Sequence, residues 1–155
     1  ATQAGLSDTW VIGIYVFYNL IYAIFSLPLG ILADKIGLKK IFISGLLLFA
    51  IVYFGISIST SPYYFIAIFF LYGLFAAATE GISKAWISNI TAKKDTATAI
   101  GTFAGFQSIA TMLASSIAGI IWYNIGAAAT FLVTACMTII VVLYFIIFIP
   151  NTNRK

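Results

Sequence analysis

An all-α, polytopic transmembrane helix bundle of five spans is the fold class that this sequence predicts, and three observations predict it. Hydrophobic residues make up 63% of the 155 positions and charged residues 8%, with a mean hydropathy of +1.10. A soluble domain carries about 25% charged residues, because its surface must face water. Eight Lys and Arg with four Asp and Glu cannot cover a globule of this size, so the outer surface faces lipid. Uncharged stretches then run over 9–33, 41–79 and 96–153, long enough for one or more crossings at about 20 residues each. The basic residues, finally, stand in short clusters between the apolar runs. That placement reads as membrane topology and not as nucleic-acid binding, despite a net charge of +4.

The first span is predicted over 9–32 and ends at the cluster Asp34 to Lys40, which holds Lys35, Lys39 and Lys40. The second runs over 41–58 and stops at Ser57-Ile-Ser-Thr-Ser-Pro62, a run of helix-punctuating residues. The third covers 63–88 and precedes Lys93-Lys94-Asp95. The fourth covers 97–122, broken from the fifth at Trp122-Tyr-Asn-Ile-Gly126, and the fifth covers 127–149 before Pro150. Basic connections stay on the cytoplasmic side, so the Asp34–Lys40 bend, the Lys93-Lys94 bend and the Arg154-Lys155 tail are expected inside. The N-terminus is then outside, and Trp10, Tyr63, Tyr64, Trp122 and Tyr123 fall at the outer interface, where amphipathic rings sit. A multi-pass protein of the plasma membrane, of the bacterial inner-membrane kind, is the expected setting.

Several functions are excluded by what is absent. There is no His, the commonest acid–base group and nitrogen ligand. The one cysteine, Cys136, sits in an apolar run without a partner. No Gly-Lys-Ser/Thr phosphate loop occurs, and no nucleophile stands beside a base. The expectation is therefore no enzyme, no metal, no cofactor and no nucleic-acid partner. Ala1 to Thr9 lack the basic start and short apolar core of a signal peptide.

The first bend carries the most specific pattern: Gly30, three residues, Asp34, Lys35, one residue, Gly37, Leu38, Lys39 and Lys40. Gly37 suits a tight turn because it takes backbone angles closed to other residues. Gly30 would allow close helix approach, and Asp34 could accept from the amides that begin a neighbouring helix. This bend resembles the signature loop of the major facilitator superfamily, which joins the second and third helices of each six-helix half. Leu38 departs from the pattern, standing where a basic residue is usual, and Lys40 partly replaces it. The resemblance extends over all five spans and implies the C-terminal half of such a protein without its first helix. It implies a secondary active transporter, a permease for a small solute working by alternating access, with a missing N-terminal half as partner and a proton as one candidate coupling ion. Two alternatives stand beside it: a non-transporting membrane subunit or receptor of the same fold, and a half-size protein that pairs with itself.

Glu80 and Lys84 are the ionisable residues set well inside a predicted span. A charge at the bilayer centre costs about 2.5–3.5 kcal/mol on insertion scales. The two are four apart with the acid first, the favoured orientation on one helix face. The superfamily resemblance implies a cytoplasmic charge network, and Asp34, Lys35, Glu80 and Lys84 are expected to form a latch in the outward-open state, with Gly30, Gly37 and Lys39 shaping the loop. The plainer alternative is mutual neutralisation near the headgroups, with Lys84 snorkelling. Polar stripes occur at helical spacing: Tyr15, Asn19, Tyr22 and Ser26 in the first span, Tyr72, Thr79 and Ser83 in the third, and Gln107, Thr111 and Ser115 in the fourth. The resemblance implies that Tyr15, Asn19, Tyr22, Gln107 and Thr111 are candidates for a substrate cavity. The alternative is interhelical hydrogen bonding. Gly101 and Gly105, at GxxxG spacing in the fourth span, read as helix packing.

Overall fold

The computed structural model describes residues 8–58 and 62–150. Ala1 to Ser7, the Ser59–Ser61 break and the Arg154-Lys155 tail lie outside the described residues, as does the Tyr63 side chain. Among the described residues there are five α-helices: α1 (Asp8–Ile36), α2 (Leu38–Ile58), α3 (Pro62–Ile90), α4 (Thr96–Asn124) and α5 (Ala127–Phe148). Each is long and apolar enough to cross a membrane. In hydrocarbon a backbone amide has no water to bond, so a spanning segment must satisfy its own polar groups, and helices do so. The same economy governs the hydroxyls. Thr102, Ser108, Thr111 and Ser116 of α4 each donate to the carbonyl four residues back, at 2.8–2.9 Å.

The structure revises the predicted bend at 33–40. Helix α1 runs on through Ala33, Asp34 and Lys35, and Gly37 alone separates it from α2. Gly37 has φ +106°, a left-handed conformation that costs a residue with a side chain. Its amide donates to the Ala33 carbonyl at 2.9 Å, and its carbonyl accepts from the Lys40 amide at 3.2 Å. Sequence reading lengthened the turn because it took charge as the mark of a loop. Asp34 and Lys35 instead close the last turn of α1, and Lys39 and Lys40 open α2.

Helix α3 packs against α1 and α2, α2 packs also against α5, and α4 borders α3 and α5. Two glycines set the distances. A Cβ at Gly73 would stand 2.8 Å from the Ile21 Cβ and 3.1 Å from the Tyr18 carbonyl oxygen on α1. At Gly45 it would stand 2.7 Å from the Thr79 Cγ2 on α3. Small residues matter here because, in lipid, helices associate through close packing and not through escape from water. The sequence expectation placed close approach at Gly30, Gly101 and Gly105, yet a Cβ at any of these meets nothing within 4 Å. No residue of α4 is buried.

Aromatic rings form a continuous path through all five helices. It runs from Tyr18 on α1 to Tyr72 on α3 (5.2 Å between centroids), Tyr53 on α2 (6.4 Å), Phe131 on α5 (5.7 Å) and Trp122 on α4 (5.7 Å). At the other end of the bundle Phe42, Trp86 and Phe145 meet at 5.4–6.2 Å, beside a cluster of Ala33, Ile41, Ala78 and Ile82. There the Lys39 Nζ donates to the Ile149 carbonyl at the end of α5. A cation at a helix C-terminus is favourably placed against the dipole, so Lys39 ties the Gly37 turn to the last helix.

Two stability predictions follow from this packing, both for SDS titration of the purified full-length protein. Gly73→Ala should lower unfolding free energy by about 1–3 kcal/mol through overpacking against α1, whereas Gly55→Ala, whose Cβ would meet neighbours at 3.4 Å or more, should change it little. Lys39→Met should cost about 1.5–3 kcal/mol, the range for a hydrogen bond to a charged group, and Lys39→Arg should recover most of that.

Candidate functional site

The chemistry inside the bundle concentrates between α1 and α3. Gly73 draws α1 close, and Tyr18 then stacks at a tilt on Tyr72. Tyr22 stands one turn along α1 from Tyr18, and Tyr72 in turn meets Tyr53 at 6.4 Å between ring centroids. Glu80 stands ten residues before Ile90, the last residue of α3, or about 15 Å at 1.5 Å per residue. That depth is well inside a span.

Glu80 and Lys84 share a helix face by spacing, but both side chains are exposed and no ion pair of 4.0 Å or less joins them. The expected mutual neutralisation is thus not formed in this conformation. Asp34 and Lys35 are likewise exposed at the end of α1, without an ion pair or side-chain hydrogen bond among the described residues. The Asp34 carboxylate therefore accepts none of the neighbouring amides expected of it. The structure places Lys39 at the end of α5 and shows no ion pair among the four latch residues.

The cavity candidates divide by helix. Tyr15 continues the ring path at 6.1 Å from Tyr18. Asn19 donates to the Tyr15 carbonyl at 2.8 Å. On α4, Thr111 donates to the Gln107 carbonyl at 2.8 Å, while the Gln107 amide is exposed and makes no hydrogen bond among the described residues. The hydroxyls therefore bond within their own helices, and the interhelical bonds offered as the alternative do not form at Thr79, Thr111 or Asn19. No hydrogen bond or ring contact joins the α1 candidates to Gln107 or Thr111.

Tyr18 and Tyr53 escaped the sequence reading. Tyr18 sits four residues before Tyr22, a usable signal, but a ring in an apolar run reads first as packing. The clefts near the N-terminal ends of α1 and α3 are lined by Trp10, Gly13, Ile14, Phe17 and Ile66, with Ala67, Phe70 and Leu71 alongside. They present no charge and no polar side chain beyond the Trp10 indole. Among the described residues no three His, Cys, Asp or Glu side chains come together as metal ligands.

Comparison with known proteins places this geometry. An uncharacterized MFS-type transporter of Methanocaldococcus jannaschii is 38% identical over 129 residues, covering 83% of this chain and 32% of that protein. The chloramphenicol resistance protein CraA of Acinetobacter baumannii is 30% identical over 109 residues, covering 70% of this chain and 26% of that protein. An uncharacterized transporter of Buchnera aphidicola is 26% identical over 149 residues, 96% of this chain and 38% of its own length. The chain thus spans roughly a third of the curated relatives it matches. The family model for the Major Facilitator Superfamily matches residues 1–155, and the chain belongs to that superfamily of membrane transporters.

Proposed function

We propose that this chain forms the C-terminal half, without its first helix, of a secondary active transporter that moves a small solute by alternating access. The observation that carries the reading is the carboxylate of Glu80, about 15 Å in from the end of an apolar spanning helix, in a chain of the Major Facilitator Superfamily. Ionisable groups within spans mark solute and ion pathways because their burial in lipid is otherwise so costly. Substrate sites of such transporters lie near the midplane between two repeats, which rock about them. The opposing wall is supplied by the N-terminal half.

In this reading the Gly37 turn, with Lys35, Lys39 and Lys40, lies in the cytosol, and α3 enters from the outside. Asp34, Lys35, Glu80 and Lys84 then sit toward the inner face. Their latch belongs to the outward-open conformation: ion pairs made in one state only bias a two-state equilibrium toward it. Asn19 and Gln107, each within about one turn of the midpoint of its helix, face the pathway.

Cysteine labelling of the full-length protein, with Cys136→Ser as background, tests the reading. Lys40→Cys should react with a membrane-impermeant maleimide from the cytoplasmic side only, and Asn19→Cys from either side in turn. Glu80→Gln and Lys84→Met should each move the Asn19→Cys balance toward cytoplasmic labelling by severalfold. Labelling of Lys40→Cys from outside would reverse the topology, and one-sided labelling of Asn19→Cys under all conditions would remove alternating access.

A further inference from the structure

We infer that the Gly37 turn and the end of α5 open only as one unit, with Lys39 as the strap between them and Leu38 as the anchor beside it. The inference goes beyond the transport reading and stands or falls without it. Pro150 prepares the site. Proline lacks a backbone N–H and biases the residue before it away from the helical region, and Ile149 is extended, at φ −97° and ψ 116°. Helix α5 therefore stops at Phe148. The Ile149 carbonyl, just past its end, takes a donor from another helix, the Lys39 Nζ. An ammonium group on a carbonyl makes a charge-assisted bond, stronger than a neutral one. Lys39 is half-buried there, unlike the exposed Lys40 beside it.

Two further contacts extend the strap. Leu38, the neighbour of Lys39, packs against the buried cluster of Ala33, Ile41, Ala78 and Ile82. Ala33 belongs to the last turn of α1, and the single residue Gly37 joins that turn to α2. With no slack at Gly37, a shift of the start of α2 carries the end of α1 with it. Close by, Phe42 of α2 meets Phe145 of α5 at 5.4 Å and Trp86 of α3 at 6.1 Å. Polar and apolar contacts thus join the same two helix ends. Segments that share their contacts in this way open cooperatively. Asp34 and Lys35, which sit in the same turn as Ala33, then move only when the end of α5 is released.

The test is hydrogen exchange, read by mass spectrometry on the full-length protein in detergent, in peptides covering the Gly37 turn and the last turns of α5. The Gly37, Lys40 and Ile41 amides are bonded within the turn at 2.9–3.4 Å, so their exchange reports its opening. Lys39→Met should speed exchange by about tenfold or more in both segments, as loss of a hydrogen bond to a charged group implies. Lys39→Arg, which keeps a charged donor, and Lys40→Met, which leaves the strap in place, should each stay within about threefold of wild type. Phe145→Leu removes a ring from α5 alone, yet it should speed the Gly37-turn amides by about threefold or more. That variant carries the test should Lys39→Met fail to elute as a folded protein. Acceleration of one segment without the other in Lys39→Met, acceleration of neither, equal acceleration by Lys40→Met, or a Gly37 turn unchanged by Phe145→Leu would overturn the shared unit.

Discussion

The approach of α1 to α3 at Gly73 sets how the tyrosines of these two helices meet. In water two apolar helices are driven together by loss of exposed surface, and a poor fit is tolerated. In lipid that drive is missing, and the helices hold only where their surfaces match. Ile21 lies against the Gly73 backbone so closely that no β-carbon fits between them. From that point Tyr18 is brought onto Tyr72. A missing side chain on one helix thus positions the rings on its neighbour.

Much of the fold was legible because a bilayer reduces the problem to counting. Five apolar runs of spanning length, separated by charge or by Gly, Asn and Pro, became five helices, and the Trp122–Gly126 break falls where α4 gives way to α5. Contact geometry was not legible. Gly30 and the Gly101/Gly105 pair have the look of packing glycines and touch nothing, whereas Gly45 and Gly73 stand in runs with no motif and make the tightest contacts. Spacing identifies which residues share a face, but which face meets a neighbour depends on every helix at once. The site divided in the same way. Glu80 and Tyr22 were found by charge and polarity, which stand out in a greasy background; Tyr18 and Tyr53 were not, because rings belong to that background. Lys39 was read as part of a charge network, and its partner at Ile149 is 110 residues away, beyond the reach of any local pattern.

The Gly37 end of the bundle has a different construction from the middle. Lys39 and Lys40 open α2, where the positive end of the helix dipole disfavours them. The proposed topology accounts for their presence, since basic residues hold a connection on the inner side. Lys39 offsets the local penalty by leaving its own helix and donating to the carbonyl that ends α5, while Phe42, Trp86 and Phe145 pack beneath it. One lysine therefore serves orientation, capping of a distant helix and closure of the bundle, which couples any movement of the Gly37 turn to α5.

Glu80 shows why a charge in a span is informative about mechanism. A structural role alone would favour a neutral residue, because insertion without a partner costs several kcal/mol and α3 already packs through Ala76, Ala77 and Ala78, all buried. A partner fixed for life would stabilise the carboxylate but would lock one conformation. Under the proposed function, a partner that comes and goes would keep the charge compensated while leaving the two states near in energy. A ligand can shift such an equilibrium only by its difference in affinity for the two states, and an ion pair to Glu80 made in one state only would supply such a difference.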